Sequence, residues 1–198
     1  MWGRNDQAGR GGLGLIVLTG VLAVGGYLAW GFMHQSSSVP VVSTSQASDA
    51  SAQQKVEAFA NAQARAQQSG RAVSVAETFD DAELSSLAND AAQSRGLPVT
   101  GISLHSTSQG TVEGRAQAQV AGQSVPVTLQ GVPVVTDNRV ALNVTSTQVG
   151  SLPGPISDQL TQQLRQPLEL GQPVSGFNQL HVTVTNGHLT VTGVAQPS

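Results

Sequence analysis

The chain is expected to fold as an α+β protein. An N-terminal transmembrane helix leads into a twisted antiparallel sheet of about seven strands, in the order β-α-β-β-β-β-α-β-β, wrapped over two amphipathic helices. Three observations lead there. Residues 13–33, LGLIVLTGVLAVGGYLAWGFM, form an uncharged apolar run. From residue 71 onward apolar and polar residues alternate in short runs separated by turn signals, which is the pattern of half-buried strands. Two segments, 81–95 and 155–168, interrupt the alternation with apolar residues spaced three and four apart, the spacing of one helix face.

The apolar run comes first in the chain and fixes where the protein sits. A hydrocarbon core of about 30 Å needs about 20 helical residues, and 13–33 supplies them. Arg4 and Arg10 precede the run, and no Lys or Arg follows it until Lys55. Positive charge is retained inside, so residues 1–12 form a cytoplasmic tail and everything beyond residue 33 lies outside a cell membrane crossed once. Tyr27, Trp30 and Phe32 cluster near the outer end, where amphipathic rings prefer the headgroup layer. The rival reading is a cleaved signal peptide, with an apolar region of about 7–15 residues and a small-x-small site. Ala29-Trp30-Gly31 is a poor version of that site, and the absence of cysteine excludes lipoprotein processing.

Residues 34–51 are Ser-rich with one proline and little charge, a composition expected to remain a disordered linker. Residues 52–70 are rich in helix formers, with Val56, Phe59 and Ala60 as a short apolar stripe before Gly70, so a helical stalk is expected there. The remaining 71–198 make one extracytoplasmic domain, large enough for a single core.

Within that domain Val73, Val75 and Phe79 mark a first strand that runs directly into the first helix. Asp80 is its N-cap and Glu83 stands at N3, a capping-box arrangement. Leu84, Leu87, Ala88 and Ala91 form its apolar face, and Gly96 with Pro98 ends it. Ile102 and Leu104 share one strand face, with Leu104 expected opposite Val112. A turn at Gly122-Gln123 would pair Val120 with Val125, Ala118 with Val127 and Ala116 with Leu129. A turn at Asp137-Asn138 pairs Val135 with Val140 and Pro133 with Leu142. The second helix starts at Pro155, which suits a first helical position, and Ile156, Leu160, Leu164 and Leu168 stripe it. Asn186-Gly187 then sets a two-residue hairpin that pairs Thr185 with His188, Val184 with Leu189 and Val182 with Val191. Each hairpin puts its branched apolar residues on one face, which the helices must cover.

Composition narrows the function. Beyond residue 33, seven basic groups stand against eleven acidic ones, and the only aromatics are Phe59, Phe79 and Phe177. A nucleic-acid partner needs a basic face and usually stacking rings, so none is expected. A disulfide-free extracytoplasmic domain suits a bacterial envelope. Among ionisable groups, Glu77, Asp80, Asp81 and Glu83 are the densest carboxylate cluster, and the needs of a helix start explain them without catalysis. Gly101-Ile102-Ser103-Leu104-His105 looks superficially like a nucleophile elbow, but it lies in an alternating strand with no helix following. Ser103 and His105 would stand about 6.5–7 Å apart on one face, too far for proton transfer. His181 and His188 face Thr192 and Thr185, several rungs apart. No catalytic residue, cofactor site or metal site is expected.

The Thr-Phe-acidic turn and acidic-Glu-Leu helix start of residues 77–87, with the segment STQVGSLPGP at 146–155, resembles the YpmS-like family of single-pass membrane proteins of Gram-positive bacteria. There a hydrophobic strand passes through a Val-Gly-x-Leu-Pro turn into a leucine-striped helix. A looser similarity extends to the LmeA-like phospholipid-binding domains, in which a twisted sheet cups helices. The resemblance covers roughly residues 71–195 and the anchor. It implies the same fold and an apolar groove for lipid, and it carries over no ligand-contact residue. Gly154-Pro155 departs from the family pattern, which leads more directly into the helix.

The residues give the same groove a physical basis. Ala116, Ala118, Gly114 and Gly131 put little bulk on the apolar face, leaving space between sheet and helices. A groove lined by Leu84, Leu87, Val127, Leu129, Leu142, Leu160 and Leu164 would take an acyl chain at about 0.8 kcal/mol per buried methylene. The expected function is therefore non-enzymatic binding of a phospholipid or lipid-linked envelope precursor by a membrane-anchored protein. The alternative is an envelope-protein interaction module with a closed core, docking through its polar sheet face or its stalk.

Overall fold

A computed structural model describes residues 39–94, 96, 99–120, 123–150 and 172–197. The 13–33 run, the 155–168 helix with Leu160 and Leu164, and the connection at Ala121-Gly122 lie outside the described residues. No described helix is long and apolar enough to cross a membrane.

The described residues form an α+β fold of two helices and eight strands. In chain order these are α1 (Gln46–Ser69), β1 (Val73–Asp80), α2 (Asp81–Ser94), β2 (Val99–Ser106), β3 (Val112–Val120), β4 (Gln123–Thr136), β5 (Arg139–Val149), β6 (Gln172–Pro173), β7 (Phe177–Thr185) and β8 (His188–Ala195). The expected single sheet of about seven strands is instead two antiparallel sheets, a three-stranded one ordered β1-β8-β7 and a five-stranded one ordered β2-β3-β4-β5-β6.

The division has a local cause. Strand β1 passes into α2 without a loop, since Asp80 ends one and Asp81 begins the other. Helix α2 then lies along the outer edge of β2 and takes its free backbone groups. Ser106 N donates to Asp81 Oδ1 at 2.8 Å, Leu104 N donates to Ser85 Oγ at 2.8 Å, and Ile102 N donates to Asn89 Oδ1 at 3.1 Å. Asn89 Nδ2 also donates to Ile102 O at 2.7 Å. With its ladder positions filled by side chains, β2 accepts no further strand, and β1 pairs with β8 instead.

Turn chemistry sets the registers. At the β4–β5 hairpin Asp137 and Asn138 have φ of 51° and 57°, and the pairs Val135 with Val140 and Pro133 with Leu142 form as expected. The β7–β8 hairpin keeps all three expected pairs as far as Val182 with Val191. A bulge with Gln179 at φ 53° then interrupts it. Two registers differ from expectation. Leu104 faces Gly114 rather than Val112, and Val120 pairs with Gln123, so Ala118 meets Val125 and Ala116 meets Val127. Both differences are two residues, which preserves every side chain's face.

Helix α1 begins at Gln46, inside the segment read as a disordered linker. Ser45 caps it, with Ser48 N donating to Ser45 Oγ and Ser45 N donating to Ser48 Oγ, and Gly70 ends it at φ 65°. It packs on β1, β8 and α2 as part of the core rather than standing off as a stalk. Ala52, Val56, Phe59, Ala62 and Ala66 are all buried, and the Phe59 ring meets Phe177 at 5.9 Å between centroids. The small alanines let the helix approach the sheet closely, and Gln63 sits over the turn before β7. A Cβ placed on Gly176, at φ +80°, would fall 2.2 Å from Gln63 Nε2.

Two stability measurements follow. Asn89→Ala removes both partners of Ile102 and should cost about 1–3 kcal/mol in chemical denaturation, with faster hydrogen exchange at the Ile102 amide. Gly176→Ala should lower stability by more than Gly187→Ala. Both residues have positive φ, costing about 1–2 kcal/mol for a side chain, but space around Gly187 is open. Equal losses in thermal melts would show that the Gln63 side chain moves aside without cost.

Candidate functional site: a carboxylate node and an apolar cleft

The carboxylate cluster at the start of α2 is occupied by structural bonds. Glu83 N donates to Asp80 Oδ1 and Asp80 N donates to Glu83 Oε2, each at 2.8 Å, the reciprocal capping box expected from sequence. Glu83 is only 3 % exposed. Lys55 Nζ reaches both of its carboxylate oxygens at 2.6 Å and donates to Thr78 O at 2.7 Å. Ser51 Oγ also donates to Glu83 Oε1. Burial alone pushes the Glu83 carboxyl upward. The hydrogen bonds from Lys55, Ser51 and the Asp80 amide, with the Lys55 charge, outweigh it and hold Glu83 below the usual 4.5. Lys55 further lies 5.7 Å from the centroid of the Phe79 ring. Glu77 lies apart from this node, opposite Val191 in the β1–β8 ladder.

Asp81, Ser103 and His105 are likewise committed. Asp81 Oδ2 lies 2.7 Å from His105 Nδ1 while its other oxygen holds Ser106 N. Ser103 is 3 % exposed. Its Oγ accepts from Val42 N at 2.7 Å and donates to Pro40 O at 3.1 Å. The elbow-like pentapeptide therefore divides its polar residues between α2 and the N-terminal segment. His181 and His188 stand opposite Thr192 and Thr185 as expected. Among the described residues no group of three or more His, Asp or Glu is placed to hold a metal ion.

The apolar residues expected to line a groove are brought together, but as core. Leu84, Leu87, Val127, Leu129 and Leu142 are 2, 2, 1, 5 and 0 % exposed. The gap expected at Gly131 is taken by Leu142, whose Cγ would lie 2.6 Å from a Cβ at that glycine. A small cleft of about 20 Å³ lies among Leu84, Leu104, Val112, Pro133, Val140, Val182 and Leu189. That is space for about one water, although every lining residue is apolar. Pro133 and Val135 on β4, and Val182 and Val184 on β7, are half-buried, so both sheets contribute apolar side chains that the core covers only in part.

The polar face of the three-stranded sheet is ordered by the ladder. Thr78, Thr190 and Thr183 share one rung, and the first two are joined by a 2.8 Å hydroxyl hydrogen bond. At one end of this sheet Ser74, Ala76, Gln179, Thr192 and Val194 border an open groove of about 370 Å³. The Gln179 bulge contributes to that groove, and no pattern in the sequence signals it.

No protein-family model matches the chain, and no curated protein matches it.

The carboxylate node gives a pH test. Because the folded Glu83 carboxyl titrates below its unfolded value, its contribution is complete above about pH 4.5 and disappears as pH falls through the lower folded value. Glu83→Gln should therefore lose stability at neutral pH. The gap between variant and parent in denaturation midpoint should narrow from about pH 6 to about pH 3. A constant gap would show that the carboxylate charge is irrelevant there.

Proposed function

We propose that this chain is a membrane-anchored, extracytoplasmic protein that performs no chemistry and binds the apolar chain of a phospholipid or lipid-linked envelope precursor between its two sheets. The observation that supports this reading is the wholly apolar lining of the cleft, with half-buried Pro133, Val135, Val182 and Val184 beside it. The cleft admits about one water as it stands, so a chain would enter by parting the sheets. Among the described residues no ladder joins them. They are pinned by Gly187 N donating to Ser106 O at one turn and Asn138 Nδ2 donating to Phe177 O at another. Each methylene taken up would gain about 0.8 kcal/mol, so a long acyl chain has enough free energy available to separate side-chain contacts. The resemblance to the YpmS-like family belongs to the same proposal.

A second reading is supported by the near-complete burial of the five described leucine and valine positions and by the larger outer groove. In it the core is closed, and the threonine face meets an envelope protein.

Native mass spectrometry of the full chain from detergent, followed by lipid extraction, separates the two. Lipid capture predicts a stoichiometric lipid adduct that Val182→Trp, which fills the cleft, removes while the melting temperature is kept. A bare protein mass and no uptake of fluorescent acyl probes would reject capture, and crosslinks from Thr183 or Thr190 to one envelope protein would establish the second reading.

A further inference from the structure

Residues 39–45 precede α1 without helix or strand of their own, yet they are held on the outer face of the five-stranded sheet. Ser103 and Arg115 are cross-strand partners on β2 and β3, and this single rung grips the segment at three points. Arg115 Nη1 donates to Val39 O at 3.2 Å, Ser103 Oγ donates to Pro40 O at 3.1 Å, and Val42 N donates to Ser103 Oγ at 2.7 Å. Val39 is 7 % exposed beneath this clamp. Val41, facing away from the domain, is 69 % exposed, the one large hydrophobic residue so exposed among the described residues.

The clamp shortens the tether. On sequence alone residues 34–51 would let the domain drift on a long flexible linker. With Val39 fixed to the sheet, only residues 34–38 separate the domain from the apolar run ending at Met33. Fully extended, that stretch spans about 20 Å, and the headgroup layer itself occupies about 5–7 Å of this distance. A domain of this size has a radius of gyration of about 15 Å, so the strap side stays close to the lipid and the opposite side stays away from it.

We propose that residues 39–42 form a strap that seats the domain directly on the lipid bilayer, with the Ser103–Arg115 rung turned toward the membrane and Val41 in the headgroup layer. The proposal rests on the reading of residues 13–33 as a membrane anchor. It adds to the proposed function the orientation in which any lipid would be met.

The absence of cysteine allows single labels in the full chain. Gln117→Cys, an exposed position on β3 beyond the clamp, and Thr190→Cys, on the outer face of the other sheet, are each labelled with NBD. The proteins are reconstituted into phosphatidylcholine–phosphatidylglycerol vesicles containing headgroup spin-labelled lipid. The expected result is strong quenching at position 117 and little at 190. Adding Ser103→Ala and Arg115→Ala should reduce quenching at 117 to the level at 190, with circular dichroism and melting showing a folded domain. Equal quenching at the two positions, or quenching at 117 that survives release of the strap in a folded protein, would overturn the seating. Protein that fails to float with the vesicles would instead overturn the anchor itself. If the double variant does not fold, Ser103→Ala alone, which removes two of the three contacts, gives the same comparison: reduced quenching at 117 supports the clamp and unchanged quenching rejects it.

Discussion

The register between helix α2 and the edge of strand β2 is the constraint on which the rest of the architecture depends. Asp81, Ser85 and Asn89 are spaced by four along the helix, and they meet Ser106, Leu104 and Ile102, spaced by two along the strand in the opposite direction. Four helical residues advance about 6 Å and two strand residues about 6.6 Å. The repeats are close enough for three successive contacts to form before they drift out of step. An open sheet edge invites another strand. Here a helix supplies the missing partners with side chains, and the sheet ends.

From that edge the structure spreads in two directions. The helix start that places Asp81 also places Asp80 and Glu83, and Glu83 gathers Lys55 and Ser51 from α1. A buried carboxylate is tolerable because its oxygens are filled from several elements, and the same bonds draw α1 onto β1 and α2. The helix needs this help, since half of its buried residues are alanine and each alanine buries little apolar surface. In the other direction, blocking β2 diverts β1 to β8, which creates a second sheet and a seam between the two. At the seam apolar side chains of both sheets meet, with Pro133, Val135, Val182 and Val184 half-buried.

The proposed function rests on this division of labour. Asp80, Asp81, Glu83, Ser103 and His105 are bonded into the frame, and the proposed binding surfaces are the seam and the hydroxyl-lined face. The strap adds a direction. A domain held against the bilayer through β2 and β3 would meet lipid and membrane partners in one orientation, whereas one on a long tether would sample all of them.

Much of this was legible in the sequence where local chemistry decides. Asp137-Asn138 and Asn186-Gly187 specify two-residue turns, and hence registers, because few residues accept the positive φ that Asp137, Asn138 and Gly187 adopt. Asp80 and Glu83 specify a helix start because capping involves only neighbours. The period of two kept the side-chain faces of the paired segments it identified even where the register differed by two residues, but the short strand β6 and the Gln179 bulge had no such signal. The partner of each element was not legible. Nothing local says that Ser85 and Asn89 serve a strand edge rather than solvent, that the backbone of Val39, Pro40 and Val42 is held by Ser103 and Arg115, or that Leu142 fills the gap at Gly131. Those outcomes were decided by the tertiary structure, because the free energy of a buried hydrogen bond or a filled cavity depends on atoms brought together from distant parts of the chain.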